Sequence, residues 1–561
     1  MLLDPATGNN FFGRNDILAL LKKRADGLRL GYRQNVAIIG PSHYGKTSVI
    51  HRFISTLPFK DTVPVYIEVK RQGFPVFAEK FISALLFKYL DAVEYKAMDA
   101  GELVSLASDR MPKTAKAVKA IEALIKAGKN LKAYRAIFEL PSTVYSETGL
   151  RPIIILDEFH RISDFGIEDA FAELGKFIML QKDTMYIVTS SQINQAKSIL
   201  AEKLSLLFGN FEICELGTFD ARTASQFVRA RLGIGPLPRE LVDFLVAFSD
   251  GHPFYLDCIL LSLCDQIRGG AATADTETLA KSFTGILFDS KGILNQHFSG
   301  VVMGLENMDR HCTPVLLAIS NGAKKLQVIS AYCRLKSAEL TPLLEKLIDA
   351  GWVSRQGTFY LIRDKVFELW LRNVYQIKEY LLDPGYGPKI TRFNSEIRSF
   401  IETFIDSSKR DINDYVGGVF TSFNGELIEL GGKSFRLPYF KSAEIRDSKT
   451  EGISYVILSA EDYVWELLIS RRPVRDSDII DYLSHCKQRK SAVKRKIVIA
   501  LAEIGANARL LAKEAKCWIW GLKELNTLLD MTGRQRLALP LYDAEESSEE
   551  QKDILTNAET A

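Results

Sequence analysis

The sequence has few cysteines for its length, and they are widely spaced. Seven cysteines are distributed over 561 residues, and no two of them form a C-x-x-C pair. A disulfide framework is built from an even set of cysteines, and a zinc ribbon needs two close pairs. The pattern argues against both and indicates a reducing compartment, the cytoplasm.

Long apolar runs and a large charge imbalance are also missing. No run of about 18 apolar residues occurs, so a membrane span is not expected. The first residues lack a basic region followed by an apolar core, so a signal peptide is not expected either. The 72 basic and 69 acidic residues give a net charge of +3, which by itself predicts no nucleic-acid partner. The length predicts about three or four domains.

What is present is a phosphate-binding loop. The apolar run 36–39 predicts a buried strand, a helical pattern starts near Ser48, and the spacing G-x-x-x-x-G-K-[ST] lies between them. Backbone N–H groups and a helix N-terminus in such a loop bind phosphate oxygens. Lys46 is expected to reach the β- and γ-phosphates and Thr47 to hold Mg²⁺. The predicted binding residues for ATP are Gly40, Pro41, Ser42, His43, Tyr44, Gly45, Lys46, Thr47 and Ser48.

A second strand predicts the acidic part of the same site. Four aliphatic residues, 153–156, are followed by Asp157 and Glu158. The carboxyl ends of parallel strands face the ligand crevice, so Asp157 is predicted to bind Mg²⁺ and Glu158 to act as general base. The alternative is that two acids merely end a strand. His160 is expected to pack or hydrogen-bond, because no second ligand has the spacing of a metal site.

Two further stretches are expected near the nucleotide. A third strand, 185–192, ends in Ser190 and Ser191, which are predicted to sense the γ-phosphate or the attacking water. The alternative is a plain Ser/Thr turn. Gly13 and Arg14 are predicted to fold over the base of the nucleotide, and the alternative is a helix start capped by Asn15 or Asp16.

A fourth strand is predicted at 211–216, and a helix capped by Asp220 is predicted from Ala221. The sequence Gly-His-Pro-Phe-Tyr-Leu follows at 251–256. In this order, the motifs resemble the archaeal-type ATPases of the STAND branch of AAA-related P-loop NTPases. The resemblance implies an adenine-side box at residues 12–14. It also implies a small helical lid in which His252 and Pro253 read the nucleotide state.

The resemblance has one departure. The family often carries Gly-Arg before the fourth strand, where the arginine is a candidate finger that stabilises transferred phosphate. This chain has Gly209-Asn210 there, and asparagine supplies no cation. Slow turnover, or a switch rather than a motor, is therefore expected.

Residues 306–380 predict a winged-helix layout of three short helices and a hairpin that turns at Gln356-Gly357. Its third helix carries Glu339, Glu345 and Asp349 against only Lys346. A helix that reads DNA should neutralise phosphates, so a structural or partner-docking role is predicted.

The segment 390–540, after a linker signal at Asp383–Pro388, resembles the restriction-endonuclease-like fold, which is often fused behind such ATPases. The family's E-x-K strand has Glu466 here, but Leu468 stands where lysine should be, and residues 454–457 contain no aspartate. Hydrolysis by metal needs clustered carboxylates, so an inactive nuclease fold is predicted. The basic run Lys487–Lys496 is either a nucleic-acid contact or a solvated face.

The fold class predicted is therefore α/β. It comprises a P-loop NTPase core at 1–220, a helical lid at 221–305, a winged helix at 306–380, a nuclease-like domain at 390–540 and a disordered acidic tail at 541–561. The predicted function is an Mg²⁺-dependent ATPase switch with a protein partner at the winged helix or the C-terminal domain. Alternatives are a nucleotide-bound scaffold that does not hydrolyse ATP, and an ATP-gated DNA-binding or nuclease protein of a defence system. A homo-oligomer is left open.

Overall fold

The computed structural model describes residues 5–58, 61–90, 100–204, 211–232, 237–269, 274–380, 385–409, 412–448, 450–489 and 492–537. By its internal contacts the chain divides into two compact units, Met1–Thr218 and Phe219–Ala561. The predicted tail at 541–561, the finger position Asn210, the start of the linker at Asp383 and Lys490 of the basic run lie outside the described residues.

The first unit is a parallel sheet with helices on both faces. Its elements are α1 Asn15–Arg29, β1 Asn35–Ile39, α2 Lys46–Thr56, β2 Thr62–Glu68, α3 Phe74–Tyr89, α4 Ala100–Arg110, α5 Pro112–Lys126, α6 Asn130–Thr148, β3 Arg151–Asp157, α7 Ala170–Leu180, β4 Met185–Ser190, α8 Ile193–Ser198 and β5 Phe211–Glu215. Alternate residues of a strand point to opposite faces. Val36 and Ile38 accordingly join a core with α1 and α2, whereas Ala37 and Ile39 join the core of the other face.

The strand order is β2-β3-β4-β1-β5, and every neighbouring pair is parallel. The phosphate-loop strand β1 and the acidic strand β3 are therefore separated by β4. Ile39 pairs with Ser190 of β4 and with Glu215 of β5, and Asp157 pairs with Glu68 of β2. The carboxyl ends of these strands lie at one edge of the sheet, which brings the predicted motifs into one row.

The second unit begins with helices and ends in a mixed sheet. Its elements are α9 Ala221–Leu232, α10 Arg239–Ser249, α11 Pro253–Arg268, α12 Thr276–Phe283, α13 Ile293–Met308, α14 Cys312–Ser320, α15 Leu326–Cys333, α16 Ser337–Asp349, β6 Val353–Gln356, β7 Phe359–Ile362, α17 Lys365–Trp370, α18 Gln376–Tyr380, α19 Tyr386–Ser408, α20 Ile412–Phe420, β8 Leu427–Leu430, β9 Lys433–Arg436, β10 Ser442–Asp447, β11 Ile453–Ser459, β12 Val464–Ser470, α21 Asp476–Lys487, β13 Val493–Ala500, α22 Ala506–Glu514, β14 Trp518–Trp520 and α23 Leu522–Thr532. The order β10-β11-β12-β13-β14 is antiparallel up to β12 and parallel beyond it.

Several elements of this unit differ from the sequence predictions. Helix α19 begins at Tyr386, inside the linker predicted at Asp383–Pro388, because Pro388 stands in its first turn, where a missing N–H costs nothing. Strand β13 begins at Val493, so Lys494, Arg495 and Lys496 belong to the strand rather than to a face beside it. Asp220 Oδ1 accepts a hydrogen bond of 2.8 Å from the Thr223 N–H, which confirms the predicted cap. Across the described ranges, no helix is both long and apolar enough to traverse a bilayer.

Candidate nucleotide site

The loop between β1 and α2 has the backbone of a phosphate cradle. Gly45 adopts φ +92°, which only glycine takes without strain. Gly40 lies against the end of β5, where a Cβ atom would approach the Leu216 carbonyl oxygen to 2.4 Å. The Gly40 N–H in turn donates to the Ser190 carbonyl oxygen over 3.1 Å. Both glycines of the motif are therefore required by the geometry of this chain.

Lys46 is the buried cation of the loop. Its Nζ donates to the carbonyl oxygens of Gly40 (2.8 Å) and Pro41 (2.9 Å), and it lies 3.9 Å from Glu158 Oε1. Burial lowers the pKa of Lys46, and the negative charges of Glu158 and Asp157 oppose that shift. The ammonium group thus stands at the centre of the loop with two carboxylates nearby.

Asp157, at the end of β3, is oriented by three hydroxyl groups. Oδ2 accepts hydrogen bonds from Thr47 Oγ1 (2.9 Å) and Tyr66 Oη (2.6 Å), and Oδ1 accepts one from Thr189 Oγ1. Burial, followed by the charge of Asp157, raises the pKa of Tyr66, so its hydroxyl keeps the proton that it donates. The carboxylate is only 3% exposed and is fixed in direction before any ligand binds.

Glu158 is held by the end of β4. Its Oε2 accepts hydrogen bonds from the backbone N–H and the hydroxyl of Ser191, each 2.8 Å long. The same oxygen lies 3.3 Å from His160 Nδ1, which is 2.9 Å from Ser190 Oγ. Glu158 also has φ +57°, a left-handed conformation that is uncommon for a non-glycine residue.

His160 and Ser190 are buried next to Glu158 and form a chain of contacts that ends at its carboxylate. Burial lowers the pKa of His160, which favours a neutral ring at neutral pH. The Ser190 hydroxyl is fully buried and also accepts from the Gln192 N–H over 3.0 Å. Ser191 therefore contacts Glu158 directly, whereas Ser190 contacts it only through His160.

The segment before α1 reaches the same loop. Arg14 has φ +61°, and its guanidinium donates to the carbonyl oxygens of Gly217 and, over 3.5 Å, of Tyr44. Gly13 precedes it with φ +68°. Helix α1 begins at Asn15, as the alternative expected, but its N-cap residue is Arg14 and no side-chain cap bond is present, so neither Asn15 nor Asp16 is the cap.

The remaining predicted residues occupy different positions. Ser42 and His43 are exposed at the tip of the loop, and the Ser48 hydroxyl accepts a hydrogen bond of 2.9 Å from the Ala6 N–H. His252 and Pro253 belong to the second unit, at the start of α11. There the His252 ring stacks on Tyr255 at 3.9 Å, and Tyr255 Oη donates to Asp364.

Two residues of the site were not predicted from the sequence, Tyr66 and Thr189. Both bind the carboxylate of Asp157 from strands on either side of β3. The available signal was a hydroxyl near the carboxyl end of a buried strand. That signal becomes specific only when the strand order is known.

The donor set fits a magnesium ion. Mg²⁺ prefers oxygen ligands and is usually held by one or two carboxylates together with phosphate oxygens and water. Thr47 Oγ1 and Asp157 Oδ2 are 2.9 Å apart and lie beside the phosphate loop. These two residues would hold the ion, which when bound would neutralise charge on the phosphate oxygens.

The position resembling a nuclease centre has a different environment. Glu466 of β12 is fully buried, and its carboxylate binds His485 Nδ1 (2.5 Å) and Arg489 Nε (3.0 Å). Leu468, two residues on, is also fully buried. Both oxygens of Glu466 are thus occupied by side chains of α21 and of the residues that follow it.

No protein-family model matches this chain. An uncharacterized ATP-binding protein of Pyrococcus abyssi is 28% identical over 233 residues, which are 39% of this chain and 63% of that protein. An uncharacterized protein of Methanocaldococcus jannaschii is 23% identical over 301 residues, which are 51% of this chain and 60% of that protein. The chain thus spans about three fifths of the length of these curated relatives.

Among solved structures, a Walker-type ATPase of Pyrococcus abyssi is 16% identical. The match covers 66% of this chain and 99% of that chain with a TM-score of 0.46. The class of fold follows from this chain's own features, namely its five-stranded parallel sheet and its phosphate loop. The first unit has the α/β fold of the P-loop NTPases.

Proposed function

We propose that the first unit binds ATP with Mg²⁺ and hydrolyses it slowly, as a nucleotide-controlled switch. The observation that carries the proposal is the row formed by Lys46, Thr47, Asp157 and Glu158 at one sheet edge. The ATP-binding description of the Pyrococcus abyssi relative supports the choice of nucleotide.

Each residue of the row has a role that its contacts support. The loop N–H groups and Lys46 bind the phosphate oxygens, and Lys46 exchanges its carbonyl partners for those oxygens. Thr47 and Asp157 hold the ion. Glu158 accepts the proton of the water that attacks the γ-phosphorus, as the bond to the ADP oxygen breaks. Ser191 keeps Glu158 in place for that transfer.

The experiment is a single-turnover ATPase assay of Glu158→Gln against the unaltered chain. Loss of a general base slows proton transfer by about 100-fold or more, while ATP binding is retained because glutamine preserves the shape. Glu139→Gln is the matched control, because Glu139 is exposed on α6 and has no ion-pair partner among the described residues. Equal rates for all three proteins would eliminate the hydrolysis proposal.

The second candidate is a nucleotide-bound scaffold that does not turn over. The engagement of Glu158 Oε2 by two donors of Ser191 favours it, because that oxygen already accepts two hydrogen bonds and has less room to meet the attacking water. The asparagine at position 210 favours it as well. In the same assay, this candidate predicts tight Mg²⁺-dependent ATP binding without phosphate release.

We also propose that residues 221–305 form a lid and that residues 306–380 form a winged helix. The segment has helices α14, α15 and α16 followed by the hairpin β6–β7. The hairpin tip packs on β8, where the Thr358 N–H and hydroxyl donate to the Leu427 carbonyl oxygen over 2.9 and 3.0 Å. Phe359 and Leu361 belong to the core of the C-terminal sheet. These contacts favour a structural or protein-docking role over insertion of the hairpin into a DNA groove.

We also propose that the C-terminal domain is nuclease-like and inactive. A nuclease centre must offer carboxylate oxygens to a metal ion, and Glu466 is buried and paired. The basic run is partly used within the fold, since Arg489 binds Glu466 and Arg495 lies 3.9 Å above the Trp518 ring. This favours the structural alternative over a nucleic-acid contact at Lys487–Lys496.

A further inference from the structure

The second unit contains a cavity that the proposed function does not use. Its volume is about 710 Å³, within the range of small-molecule sites of about 300–1,000 Å³. Its walls come from α10, the turn before α15, α17, α19 and the chain around α23. The cavity therefore lies where the predicted lid, the three-helix segment and the C-terminal domain meet within this unit.

The lining of the cavity is rich in cations. The positively charged residues that line it are Lys324, Lys365, Arg372, Arg534 and Arg536. Only two carboxylates line it, Glu368 and Asp530. Five cations against two anions leave an excess of three positive charges. An excess of this kind in a concave site concentrates anions.

The carboxylates neutralise only part of this charge. Lys365 Nζ lies 2.7 Å from Glu368 and 3.3 Å from Asp530, and Arg536 lies 2.8 Å from Asp530. Arg536 is bound a second time, by Asp250 at 3.1 Å. Lys365 and Arg536 are thus compensated by carboxylates already present in the protein.

The other three cations have only neutral acceptors. Arg372 Nε binds the Asn373 side chain over 3.0 Å, Arg534 binds the Ser422 hydroxyl over 3.0 Å, and Lys324 donates to the Asp530 carbonyl oxygen. None of the three has an ion-pair partner in the part of the chain that the structure describes. Burial lowers the pKa of Lys324, and the charges of Lys365 and Arg372 lower it further, while Glu368 and Asp530 oppose the shift.

The other feature of the cavity is an aromatic wall. Its rings are Phe244, Phe248, Phe400 and Phe404, with centroid separations of 5.4 to 6.1 Å between α10 and α19. Three of the rings are buried, and Phe400 is half-buried. Protein sites that combine aromatic faces with cations bind bases by stacking and phosphates by charge-assisted hydrogen bonds.

We propose that this cavity binds a nucleotide, with its base against Phe400 and its phosphate at Arg372, Arg534 and Lys324. The site differs from the phosphate loop because it uses side-chain cations rather than backbone N–H groups, and the ligand we propose for it is a nucleoside monophosphate. Arg536, whose guanidinium is bound by Asp530 and by Asp250 just after α10, is not part of the proposed phosphate contact.

Calorimetry on the full chain carrying Lys46→Ala tests the proposal, because that change disables phosphate binding at the loop. The probes are AMP, GMP, CMP and UMP, with inorganic phosphate as a competitor. At least one monophosphate is expected to bind, and Arg372→Gln with Arg534→Gln is expected to weaken it at least tenfold. Arg363→Gln is the matched control, since Arg363 is exposed between β7 and α17 and does not line the cavity.

A second variant separates loss of the site from loss of the fold. Phe400→Leu keeps an apolar side chain in α19 and removes the stacking face, so nucleotide binding weakens severalfold while phosphate competition is unchanged. Failure of all four monophosphates to bind would overturn the proposal. So would binding that the arginine variants leave unchanged, or displacement by an equal concentration of inorganic phosphate. These outcomes are independent of ATP binding at the loop, which is tested with Lys46 intact.

Discussion

At the scale of single residues, Asp157 defines the proposed metal position. Its two oxygens accept hydrogen bonds from Thr47, Tyr66 and Thr189, which come from α2, β2 and β4. A carboxylate held from three sides loses little freedom when it binds an ion, which is the general advantage of a preorganised site. Two of the three side chains that fix the Asp157 carboxylate, those of Tyr66 and Thr189, were not among the predicted site residues.

Tyr66→Phe tests this ordering. It removes one donor to a buried carboxylate and is expected to cost about 1–2 kcal/mol of local stability at the end of β3. Hydrogen–deuterium exchange of the β3 amides measures the change. Tyr32→Phe is the control, because Tyr32 is 78% exposed in the same unit. Equal protection in the two variants would mean that the Tyr66 hydroxyl has no such role.

The sequence predicted the chemical groups of the site better than their contacts. Lys46, Thr47, Asp157 and Glu158 were predicted from spacing and lie in one row. The predicted residues Ser190 and Ser191 make different contacts, since only Ser191 binds Glu158 directly. Such differences depend on side-chain direction at a strand end, which the order of residue types does not encode.

At the scale of elements, Glu466 shows how an apparent motif can become part of a core. It lies in β12 between β11 and β13, and Lys496 of β13 is its parallel partner in register. Its carboxylate is fully buried and bound by His485 and Arg489. A buried ion pair is costly to break, because removing one partner leaves the other charge without compensation.

Glu466→Gln is therefore expected to act on stability. The loss leaves Arg489 uncompensated and costs about 3–5 kcal/mol in the unfolding of the second unit. Urea unfolding followed by tryptophan fluorescence measures it selectively, because all five tryptophans lie in that unit.

Glu444→Gln serves as the control, since Glu444 is exposed on β10 of the same sheet beside Arg446. An exposed pair of this kind contributes about 0–1 kcal/mol. Equal unfolding midpoints for Glu466→Gln and the unaltered chain would contradict a structural role, and would reopen a catalytic one.

Element boundaries show which signals the sequence carried clearly. Buried strands such as β3 and β4 were predicted close to their observed ends. Helix α20 and strands β9 and β10 were not predicted. Strands β9 and β10 are short and largely exposed, so a weak alternation of apolar residues was the only sequence signal that could have predicted them. The start of α19 was not predicted, because Pro388 was interpreted as part of a linker although it lies in the first turn of the helix.

At the scale of the whole molecule, the chain has two units with separate cores. The α/β class of the first unit followed from the sequence, because the phosphate loop and the acidic strand require a parallel sheet around them. The finer divisions of the second unit into lid, winged helix and nuclease-like domain remain predictions. The cavity between those segments could not be predicted, because its walls are distant in sequence from one another.

The proposed function depends on a triphosphate and Mg²⁺ binding to the loop from Gly40 to Thr47. This binding is measured by isothermal titration calorimetry of the full chain with ATP, with and without Mg²⁺. We predict one Mg²⁺-dependent ATP site that Lys46→Ala abolishes, because no other cation lies inside the described loop. Lys70→Ala, an exposed lysine of the same unit, should leave ATP binding unchanged. ATP uptake that is absent, or that persists in Lys46→Ala with the same affinity, would contradict the account.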